Sequence, residues 1–127
     1  MVREDYVSVE TAKLLKEKGF DVSVRYYYQK IDDDITYNIG DFRNWNVHDM
    51  WYSMPTLQMA MRWLREVHNI CIIIEPRAYN YINKKYSSYI ASLWQGDNYY
   101  DNIKSKDHQT YEQACESAIK YCLKNLI

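Results

Sequence analysis

The stretch VRYYYQKIDDDITYN, Val24 to Asn38, sets three tyrosines just ahead of three aspartates. Two kinds of chemistry need such residues. Exposed aromatic rings stack nucleic-acid bases when they line a cationic groove. Carboxylates bind hard cations through oxygen. The spacing speaks against both. A calcium loop alternates its ligands around a glycine and ends in a distal glutamate, and DDDITYNIG lacks that pattern. Strand side chains alternate between faces, so Tyr26, Tyr27 and Tyr28 cannot share one surface, and Arg25 and Tyr27 form the opposite one. The simpler reading is a hairpin whose tyrosines cover sheet surface and whose turn is acidic.

Other reactive residues carry even less pattern. Cys71 follows His68 with Asn69 between, but the histidine closes a predicted helix and the cysteine lies inside a run of isoleucines. A thiol buried there has a raised pKa and is inert. Cys115 and Cys122 fall on core positions of one predicted helix, about 10 Å apart along its axis at a 1.5 Å rise per residue, too far for a disulfide. His48, His68 and His108 fit no zinc-binding spacing. Three isolated glycines cannot build a phosphate loop. No catalytic residue, metal or cofactor is expected, and an enzyme ranks third among the readings.

The bulk composition bounds the remaining choices. The chain has 127 residues, with 47% hydrophobic and 26% charged. That suits one α+β domain over residues 1–127 with a core of its own. Aromatic content is 16%, including 14 Tyr and 4 Trp. A net charge of −1 shows no global basic footprint for phosphate backbones. No apolar run reaches membrane-spanning length, and MVREDYVSVE has no apolar signal-peptide core. Three cysteines do not make a disulfide framework, so a reducing cytoplasm is the expected location.

The elements that position these residues read as follows. SVETAKLLKEKGFD is a helix with Ser8 as N-cap, Gly19 in the left-handed C′ position and Phe20 folding back on Leu15. VSVRYYYQK and TYNIGDF are strands joined by the acidic turn, and RNWNVHDMWYS is an irregular loop. MPTLQMAMRWLREVHN is a second helix with Pro55 in its first turn. Its stripe of Leu57, Ala60, Met61, Leu64 and Val67 is widened by Met59 and Trp63. ICIIIEP suits a strand buried on both faces and ended by Pro76. YSSYIASLW is its partner strand, and QGDNYYDNIKSKDHQ is a polar loop. A last helix starts from a Thr110–Gln113 capping box, with Tyr111, Ala114, Cys115, Ala118, Ile119, Cys122, Leu123 and Leu126 inward. The predicted order is α-ββ-α-ββ-α, with the two hairpins forming a single, mostly antiparallel sheet.

Three helical stretches, VSVETAKLLKEKGFD, MPTLQMAMRWLREVHNI and TYEQACESAIKYCLKNLI, resemble a family of short uncharacterised proteins of gut Bacteroides-type bacteria, their phages and mobile elements. The resemblance implies a cytoplasmic protein of phage or mobile-element origin. It carries no catalytic or binding residue, because the family has no assigned activity.

The leading functional expectation is a small protein-binding or adaptor module. Its surface would be the aromatic group Trp45, Trp51, Tyr52, Met59 and Trp63, facing a protein partner or a second copy of the chain. The competing structural reading makes the same rings a small core beneath the long loop. The alternative function is single-stranded nucleic-acid binding through Arg25, Tyr27, Lys84 and Lys85. Tyr99 and Tyr100 offer a further contact surface. No membrane partner is expected.

Overall fold

A computed structural model describes residues 5–127, and the chain divides into two compact units, Met1–Met59 and Ala60–Ile127. The described residues form three helices and two three-stranded antiparallel sheets, an α+β arrangement. The expected single sheet is therefore corrected to two. Each hairpin recruits a short third strand from the loop that follows it and completes a sheet of its own.

In the first unit, α1 spans Val9–Glu17 and begins where Ser8 Oγ accepts from the Thr11 N–H at 3.2 Å. It ends as the glycine predicted. Gly19 sits at φ 88°, its N–H donates to the Lys16 carbonyl, and the Phe20 N–H reaches the Leu15 carbonyl at 3.0 Å. That pair of bonds is a Schellman ending, and it buries Phe20 with Leu15. β1 (Val24–Ile31) and β2 (Asp34–Arg43) form the predicted hairpin, with Asp32 left-handed at φ 53° in the turn. The segment read as an irregular loop is ordered. A 3-10 turn at Trp45–Val47 leads into β3 (Trp51–Ser53), which pairs with β1 to give the order β2-β1-β3.

α2 runs Leu57–His68 and carries the chain from one unit into the other. Thr56 caps it, its Oγ1 accepting from the Met59 N–H at 3.1 Å. Pro55 thus precedes the cap and lies outside the first turn. Leu57, Ala60, Met61, Trp63 and Leu64 are buried, but Val67 is exposed, so the core stripe stops a turn early.

The second unit holds β4 (Ile70–Asn80), β5 (Lys85–Gln95) and β6 (Asn98–Tyr100) in the order β4-β5-β6. β4 is an edge strand, which explains two departures from expectation. It continues through Pro76, because a proline is tolerated where its missing N–H leaves no ladder bond unmade. Cys71 is exposed rather than buried, because only one face of the strand is covered. The polar loop after β5 supplies β6, a 3-10 turn at Ile103–Ser105, and a two-way bridge between the Tyr89 and His108 backbones at 2.8 Å. α3 (Tyr111–Asn125) packs on β4 and β5. Thr110 Oγ1 caps the Gln113 N–H, and the Gln113 side chain reaches back to the Gln109 N–H. The inward stripe is Ala114, Cys115, Ala118, Ile119, Cys122 and Leu123, with Tyr111 and Leu126 half-buried at its ends.

Candidate functional site

Of the predicted aromatic surface, Trp45 and Trp63 are buried, while Trp51, Tyr52 and Met59 are half-buried. Trp45 and Trp63 are each only 4% exposed. Trp45 lies face to face with Tyr27, ring centroids 3.9 Å apart, and meets Trp51 edge-on at 5.2 Å. Its Nε1–H donates to the Val24 carbonyl at 2.7 Å, and the Arg43 guanidinium lies over its ring. The indole also rests on Gly40, where an added Cβ would come within 2.7 Å of it. Asn46 ties this turn to two elements, donating to the Phe20 carbonyl and accepting from the Ser53 N–H. Trp51 stacks on His48, and Tyr52 lies under the ammonium groups of Lys13 and Lys16. Trp63 belongs to the second unit, edge-on to His68. The rings Trp45, Trp51 and Tyr27 thus form a small accessory core.

Tyr27 is consequently no free stacking platform, since one face is occupied by Trp45. Arg25 bonds the Gly40 carbonyl and lies over Phe42. Lys84 and Lys85 sit at the β4–β5 turn in the other unit.

Two exposed features stand out, and of them the sequence reading singles out Lys84 and Lys85 alone. The first is on β2. Ile35, Tyr37 and Ile39 alternate along one face and are exposed, Tyr37 to 70%. The cross-strand partners Lys30, Tyr28 and Tyr26 turn their backbone groups toward β3: Lys30 N–H bonds the Met50 carbonyl, and Met54 N–H bonds the Tyr26 carbonyl. In an antiparallel ladder, N–H and C=O groups alternate sides. Ile35, Tyr37 and Ile39 therefore aim theirs away from β1, at an edge with which no described strand pairs. Close to Tyr26 a 160 Å³ apolar pocket opens, lined among others by Val24, Tyr26, Phe42, Met54 and Met59. A cavity of about 150 Å³ holds one benzene ring, so this one suits a single aromatic or branched side chain. Met59 of the predicted surface lines it. The alternation in ITYNI was the signal available for the stripe.

The second feature is the far end of the β4–β5 hairpin. Every residue from Glu75 to Ser87 is exposed, on both strands and through the turn. Tyr79 faces Tyr86 across the strands at 5.2 Å and Tyr81 at 4.9 Å.

Titratable groups complete the survey. Burial pushes Cys115 up to about 11 and Cys122 up to about 12, so both thiols stay protonated at neutral pH. Burial also lowers the His108 pKa, helped by Lys106 and Lys104 and opposed by Asp107. Its Nε2 and the Asn102 Oδ1 are buried without a hydrogen-bond partner among the described residues. Asn102, Lys104 and Ser105 near it all hold left-handed φ angles of 42°, 67° and 45°. Among the described residues, no three His, Cys, Asp or Glu side chains gather as a metal site. No described helix is long and apolar enough to cross a membrane.

No family model, curated protein or solved structure matches this chain.

Proposed function

We propose that the protein is an adaptor that binds an extended segment of another protein along the free edge of β2. The observation that carries this reading is the coincidence, at Ile35, Tyr37 and Ile39, of exposed apolar side chains with backbone groups aimed at an unpaired edge. Main-chain bonds to such an edge give affinity, and pockets for alternate side chains give specificity. The 160 Å³ pocket beside Tyr26 and Phe42 supplies one such anchor.

Charge selects the partner. Asp34 and Asp41 flank the stripe, and Asp32 and Asp33 adjoin it. Pairing β2 with a second copy, Tyr37 opposite Tyr37, would set Asp41 opposite Asp33, and like charges opposed across a ladder destabilise it. A foreign strand with alternating apolar residues and basic flanks fits better. The helical resemblance to proteins of gut bacteria and their phages supports a role inside such a cell.

The test compares wild type with Ile39→Lys and Phe42→Ala as bait in a nuclease-treated bacterial lysate. The expected result is one protein retained by wild type and lost with both variants. Reconstituted from purified components, it should slow amide exchange at Ile35, Tyr37 and Ile39. A partner held equally by both variants, or protection elsewhere only, rules out the β2 edge.

A further inference from the structure

The exposed end of the β4–β5 hairpin calls for an explanation of its own, independent of the β2 edge. A two-stranded ribbon with neither face covered is marginally stable in water, yet here it is built with care. Asn80 Oδ1 accepts from the N–H groups of Ile82 and Asn83, and Asn83 Oδ1 accepts from that of Lys85. With Lys84 left-handed at φ 57°, these bonds hold the turn in one shape. They present Tyr81, 83% exposed, and Ile82, 95% exposed.

Tyrosines run down the arm from this tip. Tyr81 meets Tyr79, Tyr79 meets Tyr86, Tyr86 meets Tyr89 at 6.4 Å, and Tyr89 meets Tyr111 at 6.2 Å at the foot of α3. The planes of neighbouring rings are inclined by 62–89°, so no ring covers the whole face of the next. Flat ligands can still stack on them.

The charge of the arm is the opposite of the molecule's. The chain has a net charge of −1. Residues 75–89, EPRAYNYINKKYSSY, carry Arg77, Lys84 and Lys85 against the single carboxylate of Glu75. Among the described residues, no ion pair takes any of these three. Three cations against one carboxylate, with Lys84 in the turn and Lys85 on the face opposite Tyr79 and Tyr86, call for a ligand that offers both anions and flat rings and can wrap the ribbon. Bases and phosphates of a single strand are that ligand, as in proteins that track the backbone with cations and stack bases on aromatics. An acidic protein segment would answer the cations but leave the ring faces unused.

We propose that the β4–β5 arm is a binding site for single-stranded nucleic acid, with Tyr79, Tyr81 and Tyr86 as stacking surfaces and Arg77, Lys84 and Lys85 as phosphate contacts. The two classes of contact separate by their salt dependence. Affinity for single strands falls with salt by a logarithmic slope of about 0.7 per phosphate neutralised, so three contacts give about −2.

The experiment measures fluorescence anisotropy of a labelled oligothymidylate and a labelled oligouridylate on the full chain, across a salt series. Lys84→Gln with Lys85→Gln should weaken binding and flatten the slope by about 1.4. Tyr81→Ala should weaken binding about fivefold or more with the slope unchanged. These side chains are exposed, and circular dichroism should show the variants folded. Ile39→Lys, on the other unit, should bind as wild type does. Three outcomes overturn the proposal: no binding of either oligonucleotide, binding that survives both arm variants, or binding to anionic phospholipid vesicles in place of oligonucleotides.

Discussion

Single residues here do work that no neighbour in the sequence announces. Lys16 is the clearest case. From the end of α1 its ammonium donates to the carbonyls of His48 at 2.6 Å, Trp51 at 2.9 Å and Asp49 at 3.3 Å, while lying 4.9 Å from the centre of the Tyr52 ring. An ammonium has three donors, and all are used. Burial lowers its pKa, partly offset by the charge of Asp49. A lysine in the last turn of a helix ordinarily needs no partner beyond the helix's negative end. The partners of Lys16 lie 32 to 35 residues away, beyond the reach of any local pattern. Replacing Lys16 by Met keeps the aliphatic stem and removes all three bonds. Hydrogen bonds to charged groups contribute about 1.5–3 kcal/mol, and partial exposure places the expected loss near the lower end. The urea midpoint should fall with the denaturant slope unchanged, and Trp51 emission should shift, since its own carbonyl is released. A midpoint equal to that of wild type would mean that the loop is held by Asn46 and Trp45 without help from Lys16.

At the scale of elements, legibility followed the range of the interactions. The N-cap at Ser8, the Schellman ending at Gly19 and Phe20, and the Thr110 cap are each closed within a few residues, and each is where the residue types place it. β3 and β6 span three residues each, too few to display a period of two, so they were hidden in segments that read as loops. Their pairing also decides that there are two sheets. The segment after β6 is held by the main-chain bridge of His108 to Tyr89, and the buried His108 side chain is the titratable group at that bridge. His108 has a folded pKa below the ordinary 6.5, first because of burial and then because of Lys106 and Lys104. The unfolded chain therefore takes up the proton at a higher pH than the folded one does. Stability that is complete above about pH 6.5 declines as the pH falls from there toward the lower folded pKa. His108→Gln removes this titration. The difference in urea midpoint between pH 7.5 and 5.5 should be larger for wild type than for the variant, and amides of residues 102–106 should exchange faster in wild type at the lower pH. Equal differences in the two proteins would show that His108 takes no part in acid sensitivity.

For the whole molecule, the question is what keeps a chain with so much exposed apolar strand from pairing with itself. Global repulsion is weak, because the net charge is −1 and the pI lies near 6.3. The β2 edge is ten residues long and carries Ile35, Tyr37, Ile39 and Phe42 in the open. Such an edge is an aggregation hazard unless charge blunts it. Asp34 and Asp41 bracket the stripe, and among the described residues Asp41 is spent only on a loose 3.8 Å contact with the exposed Arg43. Exposed pairs of that kind contribute little to stability, so both aspartates are available to repel an incoming copy. Replacing them with threonine, a good strand former, should leave the fold in place and raise the rate of light-scattering growth at neutral pH by about an order of magnitude. The double variant also gains two units of positive net charge, moving from −1 to +1, which leaves the magnitude of the global charge unchanged. Faster aggregation would then reflect where the charge was lost and not how much charge remained. Adding Ile39→Lys to that variant should restore wild-type behaviour, since a lysine inside the stripe blocks the same edge by a different route. If the threonine variant scatters no more than wild type, or if the lysine fails to rescue it, association proceeds through another surface, and the carboxylates around β2 serve the hairpin turn alone.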